Sequence, residues 1–161
     1  MKSEGNQQNY WQRVIISAWR IFAEDGEAQI QDILIFENKY GKIPPHACVM
    51  MYSGWEKHLK DSMFVGQDEK FIKHYPGFSI AAIKFLLEER DVAGIGVDVL
   101  SLDPGVDEEY IGHKVLFQAG KWAVECVANL NKIPKVGATV IVAAPKVGKA
   151  TGGFSRIIAV W

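Results

Sequence analysis

Apolar positions fall into short, distinct blocks along the chain. Residues 28–40 carry Ile30, Ile33 and Leu34 at the spacing of one helical face, with Gly41 placed to cap the end and Pro44-Pro45 preventing continuation. Residues 46–52 are apolar without alternation and read as a buried strand that breaks at Ser53-Gly54. Residues 55–60 form a helical turn, and residues 61–76 a loop rich in charge. Ser79 is an N-cap for a helix reaching Arg90, with Ile80, Ile83, Leu86 and Leu87 as its apolar stripe. Residues 92–99 are dense in Val, Ile and Gly, the pattern of a strand covered on both faces. Residues 139–144 and 155–160 are two further strands, parted by Pro145 and the glycine-rich 148–153. Residues 10–22 read either way: Val14-Ile15-Ile16 favours a strand, whereas Trp11, Ile15, Ala18 and Phe22 also fit a helix.

Helices alternating with buried strands define an α/β domain. At 161 residues the chain is read as a polar leader, 1–9, followed by a single domain, 10–161. The formal net charge of −1 offers no basic stripe to nucleic acid, and Lys146 with Lys149 is a short solvated cluster. The leader lacks the apolar core of a signal peptide, and no segment reaches the ~20 apolar residues of a membrane helix. Cys48 and Cys126 each lie in an apolar run and are expected as buried reduced thiols. Together these features predict a cytoplasmic protein without nucleic-acid or membrane partners.

The candidate chemistry lies in residues 110–130. His113 follows the acidic Asp107-Glu108-Glu109, which suits a helix N-terminus, and Gly120 ends that helix so that the chain can fold back. Glu125 then interrupts an apolar run, where a carboxylate is costly unless paired, hydrogen-bonded or bound to a metal. His and Glu are suitable ligands for zinc or manganese, but catalytic zinc sites usually keep three protein ligands. A lone His at a helix start is more often a hydrogen-bonded structural residue, so both readings stand on the residues alone. Asp98 and Asp103 read as strand-end and turn residues, and Ser101 has no neighbouring His to activate it.

An ordered series of segments resembles the cyclase family of metal-dependent hydrolases, which includes bacterial-type kynurenine formamidases and isatin hydrolases. The series runs Gly41-Lys-Ile-Pro44, Tyr52-Ser-Gly-Trp55, Tyr75-Pro-Gly-Phe-Ser79 and Gly94-Ile-Gly-Val-Asp-Val-Leu-Ser-Leu-Asp103. His113, Glu125, Asn129-Leu130, Ile133-Pro134, Val140-Ile-Val-Ala-Ala-Pro145 and the closing residues 152–159 follow. The resemblance covers roughly residues 28–161 and implies a partial swivelling β/β/α domain, a mixed sheet flanked by helices. It also implies that His113 and Glu125 are metal ligands, with Glu125 able to bridge two ions. Trp55 and Phe78 are candidates for lining a substrate pocket, and no residue is singled out as a catalytic acid, base or nucleophile.

The family's other ligands come from an N-terminal His-x-x-x-His-x-Asp cluster with a further His after it. The remaining histidines here, His46, His58 and His74, do not make such a cluster. The family activity is hydrolysis of an N-formyl aromatic amine or a cyclic amide with zinc or manganese. Two expectations follow. One is a hydrolase whose remaining ligands come from a partner chain or an upstream segment; the other is an inactive relative serving as a binding or assembly module. Without the family's first half, apolar surface would be covered by self-association, so a homo-oligomer is expected.

Overall fold

The computed structural model describes residues 11–17 as backbone and residues 24–145, 147, 148 and 150–161 in full. The expected leader, residues 18–22 of the ambiguous segment, and Lys146 and Lys149 lie outside the described residues. In chain order the elements are β1 (Trp11–Ser17), β2 (Glu27–Ala28), α1 (Ile30–Tyr40), β3 (Cys48–Met51), β4 (Gly77–Phe78) and α2 (Ile80–Glu88). They continue with β5 (Gly94–Val97), α3 (Ile111–Gln118), β6 (Trp122–Val124), β7 (Val136–Ala143) and β8 (Arg156–Val160). Short 3-10 turns occupy Trp55–His58, Ser62–Phe64 and Leu130–Lys132.

Six strands form one mixed sheet in the order β6-β5-β3-β1-β7-β8, and β2 pairs with β4 apart from it. β1, β3, β5 and β6 run parallel, β7 runs antiparallel to β1, and β8 runs antiparallel to β7. The expected α/β class and mixed sheet hold. The strand reading of residues 14–16 is the one realised. β6 joins the sheet through only three residues, too few for a periodic pattern to declare itself.

Alternation along the strands sends side chains to two cores. Val49, Met51, Ile95 and Val97 meet Ile33, Phe36, Ile83, Leu86 and Leu116 from the three helices. Cys48, Met50, Val124, Ala138 and Val140 face the other way and meet Val127 and Leu130. Among the described residues, Leu130 of the short 3-10 turn is the helical residue on that second face.

Helix α1 buries Ile33 and Phe36, while Leu34 is exposed, which corrects the expected face. Gly41 ends it with φ +94° and an N–H donated to the Glu37 carbonyl, as expected. Ser79 caps α2, its hydroxyl accepting from the Ala82 N–H at 3.2 Å and donating to the Ala28 carbonyl at 3.0 Å. Cys48 is buried as expected, but Cys126 is exposed because its φ of +54° turns the chain outward after β6.

Glu37 ties the end of α1 to the end of α2. Its carboxylate accepts from Arg90 Nε at 2.6 Å, Arg90 Nη2 at 2.9 Å and the Ile43 N–H at 2.9 Å. Burial alone would raise this carboxyl, but the Arg90 and Ile43 hydrogen bonds outweigh it and hold the group below its usual range. A lowered folded-state pKa contributes stability above the unfolded value near 4.5, and that stability fades as pH falls through the carboxylate range. Replacing Arg90 with Met is therefore expected to cost about 2–4 kcal/mol at pH 7. The deficit should shrink towards pH 3 in parallel urea titrations of wild type and variant.

Candidate metal centre

The candidate site forms where parallel strands end, the position at which open α/β sheets place their ligands. β5 runs out into residues 98–103, β6 delivers Glu125 immediately after Val124, and α3 begins with Ile111 so that His113 sits in its first turn. The acidic stretch before α3 shapes the turn into the helix but does not cap it; the Gly112 and His113 N–H groups donate to Asp103 instead. Asp107 Oδ1 accepts from the Glu109 and Tyr110 N–H groups at 2.7 and 3.2 Å, and Tyr110 turns the chain at φ +52° into the helix.

His113 and Glu125, twelve positions apart in the chain, are in contact. His113 Nε2 lies 3.2 Å from Glu125 Oε1, and the Leu102 N–H donates to that same oxygen at 3.1 Å. The opposite ring nitrogen, Nδ1, is gripped by Asp103 Oδ2 at 2.5 Å. Asp103 is buried, and its Oδ1 accepts from the Gly112 N–H at 2.6 Å. The rings of Tyr110 and Phe117 stand edge-on to the imidazole at 5.8 and 5.4 Å. Asp103 first, then Glu125, raises the imidazole pKa to about 9 against the opposing effect of burial.

Asp103 is the residue whose contact with His113 sequence reasoning missed, having been read as a turn residue. Its reach to the helix depends on Gly112, where a Cβ would collide with Asp103 Oδ1, Ile83 and Leu102. An Asp directly after an apolar run, ten positions ahead of a helix-start His, was the available signal.

The donors present fit half of a metal centre. Two ligands on a tetrahedral zinc ion at ~2.0–2.1 Å sit roughly 3.3 Å apart, close to the separation of His113 Nε2 and Glu125 Oε1. A carboxylate on the other ring nitrogen is the usual support of a metal-binding His, fixing tautomer and ring orientation. Among the described residues, no group of three His, Cys, Asp or Glu side chains is set to hold an ion. His46 pairs with Asp91, His58 with Asp61, and His74 with Asp25 and Asp68, all outside the His113 and Glu125 pair.

Asp103→Asn is expected to lower zinc affinity about 10–100-fold, the usual cost of losing such a support. Competition with a chromophoric chelator would measure it, with the urea midpoint as a control for folding.

The two candidate pocket residues are placed in the core instead. Phe78 is fully buried, and Trp55 is buried with its Nε1 donating to the Phe64 carbonyl at 3.1 Å. Neither borders the cleft of about 430 Å³ that opens beside Glu125. Ser101 Oγ accepts from the Asp103 N–H at 3.2 Å and bonds with Tyr75, a supporting role away from nucleophilic chemistry.

The model of the family described as "Putative cyclase" matches residues 7–104, so the chain belongs to the cyclase family. The isatin hydrolase of Roseibium aggregatum is 30% identical over 132 residues, covering 79% of this chain. That match covers 49% of the relative, so the chain spans about half its length. Among solved structures, isatin hydrolase A from Labrenzia aggregata bound to benzyl benzoate superposes with a TM-score of 0.87 at 30% identity, over 93% of this chain and 60% of that one. Isatin hydrolase A from Ralstonia solanacearum matches with a TM-score of 0.89 at 24% identity, over 95% and 61%, which bears on fold alone. The family match stops at Pro104, before His113 and Glu125.

Proposed function

We propose that this chain carries one half of the divalent-metal centre of a hydrolase that cleaves a C–N bond, in an N-formyl aromatic amine or a strained cyclic amide. The observation that carries the reading is the row Asp103–His113–Glu125. One imidazole nitrogen is locked by a buried carboxylate, and the other points at a second carboxylate at ligand-pair distance. Membership of the cyclase family and likeness to isatin hydrolases support the same reaction class.

A bound zinc or manganese ion would supply Lewis-acid activation of the scissile carbonyl and of water. His113 would hold it through Nε2 and Glu125 through Oε1. Asp103 would keep the Nδ1 proton in place, so that it is Nε2 that gives up its proton to take the ion. The Leu102 N–H fixes the Glu125 carboxylate and limits its swing. The rings of Tyr110 and Phe117 border the imidazole. Two protein donors hold an ion loosely, so the reading includes further donors from a polypeptide beyond these 161 residues.

A second reading, an inactive relative acting as a binding or assembly module, is favoured by the absence of a three-donor group among the described residues. Purification without chelator, followed by zinc and manganese analysis and assays of isatin and N-formylkynurenine hydrolysis, separates the two. Bound metal with turnover, alone or after complementation, supports the hydrolase. Neither metal nor turnover under both conditions leaves the module.

A further inference from the structure

We propose that Tyr75 is a positioning residue for the candidate metal centre: through Ser101, its hydroxyl holds Asp103 in the place from which that carboxylate grips His113. This rests on the hydrolase reading above and deepens it by one link. Tyr75 acts only through its neighbours, neither as a ligand nor as a carrier of protons.

Residues 73–78 run beside the turn that follows β5. The Phe78 N–H donates to the Leu102 carbonyl at 2.8 Å, and the Gly105 N–H donates to the Tyr75 carbonyl at 2.8 Å. Two glycines make this approach possible. A Cβ on Gly77 would collide with backbone atoms of Leu102, Asp103 and Pro104, and one on Gly105 with the backbone of Lys73 and Tyr75. His74 anchors the segment from elsewhere, its N–H donating to the Gly66 carbonyl at 2.8 Å and its Nδ1 lying 2.9 Å from Asp25 Oδ1. The Tyr75 backbone is thus fixed against residues 102–105.

Its side chain is buried, and a buried phenol needs a hydrogen-bond partner. That partner is Ser101, itself buried. Ser101 Oγ accepts in turn from the Asp103 N–H at 3.2 Å. Asp103 then turns both carboxylate oxygens on the start of α3. Oδ1 accepts from the Gly112 N–H at 2.6 Å, and Oδ2 meets the His113 N–H at 3.2 Å and the His113 ring at Nδ1. The row Tyr75–Ser101–Asp103–His113 therefore crosses from the 73–78 segment to the first turn of α3. Burial, joined by Tyr110, Glu125 and Asp103, pushes the phenol up to about 12 against the opposing Ser101 bond, so the first link is a neutral hydroxyl. Hydrogen-bonded side-chain networks in the interior make the groups they join rigid, and the orientation of a metal-binding His depends on the groups behind it.

The test uses the full chain and two readouts, amide hydrogen exchange without metal and zinc affinity by chelator competition. Tyr75→Phe keeps the ring in the core and removes only the hydroxyl. It is expected to speed exchange of the Asp103, Gly112 and His113 amides by about threefold or more, relative to amides of β3 and β5. Zinc affinity should fall roughly 3–10-fold, less than the 10–100-fold cost of losing Asp103 itself. Ser101→Ala should do at least as much. Adding Tyr75→Phe to Ser101→Ala or to Asp103→Asn should change zinc affinity no further, because the hydroxyl acts through both. Tyr40→Phe, at an exposed position ending α1, should leave both readouts at wild-type values. Unchanged exchange at the three amides in Tyr75→Phe, or a change shared equally by β3 and β5, overturns the proposal. So does a zinc loss that adds in full to that of Asp103→Asn. Faster exchange confined to the three amides, in a protein whose wild type takes up no zinc, supports the link and overturns the hydrolase reading beneath it.

Discussion

Replacing His113 with alanine is expected to lower zinc affinity by more than about a hundredfold, beyond the 10–100-fold cost of losing a supporting residue such as Asp103. The substitution removes the Nε2 donor, leaving Glu125 as the remaining donor of the pair. It also deprives Asp103 Oδ2 of the Nδ1 proton, although that carboxylate keeps the Gly112 and His113 backbone N–H groups. The loss of folding stability should therefore be smaller than the loss of metal affinity. Chelator competition and urea unfolding on the same samples tell the two apart. Glu125→Gln should approach the alanine variant in metal loss, because an amide oxygen is a weaker ligand than a carboxylate. If His113→Ala keeps zinc within threefold of the wild type, His113 is a structural histidine and the proposed centre is wrong.

The fold was legible where local pattern and tertiary role coincide. The apolar run now seen as β3, the Val-Ile-Gly run of β5, the Ser79 cap and the Gly41 cap all declared themselves, because burial on both faces or a chain reversal leaves a local mark. The face of α1 did not. Leu34 is as apolar as Phe36, and only the position of the sheet decides that Phe36 points inward and Leu34 outward. Cys126 misled for a related reason, since its apolar neighbours gave no sign of the positive φ that turns it to solvent.

The site shows the same division. His113 and Glu125 were marked by chemistry, a titratable side chain at a helix start and a carboxylate in an apolar run. Asp103 was hidden because its role depends on a close approach across the start of α3, which the missing side chain of Gly112 permits. Trp55 and Phe78 have the opposite history: their types suit a pocket, yet their places in the chain put them in the core.

Asp98→Ala is expected to cost about 4 kcal/mol, a large part of the 5–15 kcal/mol that holds a typical domain together. The carboxylate lies 1% exposed at the end of β5 and gathers the turn that follows β3. One oxygen accepts from the Ser53 N–H at 2.9 Å and the Ser53 hydroxyl at 2.7 Å. The other accepts from the Gly54 N–H at 2.7 Å and the Trp55 N–H at 3.0 Å. Hydrogen bonds to a charged group contribute about 1.5–3 kcal/mol each, and alanine would take this acceptor from the buried Trp55 N–H and from the half-buried Ser53 and Gly54 donors. The sum of four such bonds overstates the effect, because the turn can relax and water can reach Ser53. Asp98→Asn should cost about half as much, since its amide nitrogen can no longer accept while its oxygen still can. Urea unfolding should show a lower midpoint with an unchanged slope if the effect is one of stability. Gly54 holds φ +78°, which makes the tight turn around the carboxylate accessible, so Gly54→Ala should reproduce part of the loss without touching the charge. A midpoint shift below 1 kcal/mol for Asp98→Ala would mean that the turn holds its shape unaided and that the buried carboxylate serves another purpose.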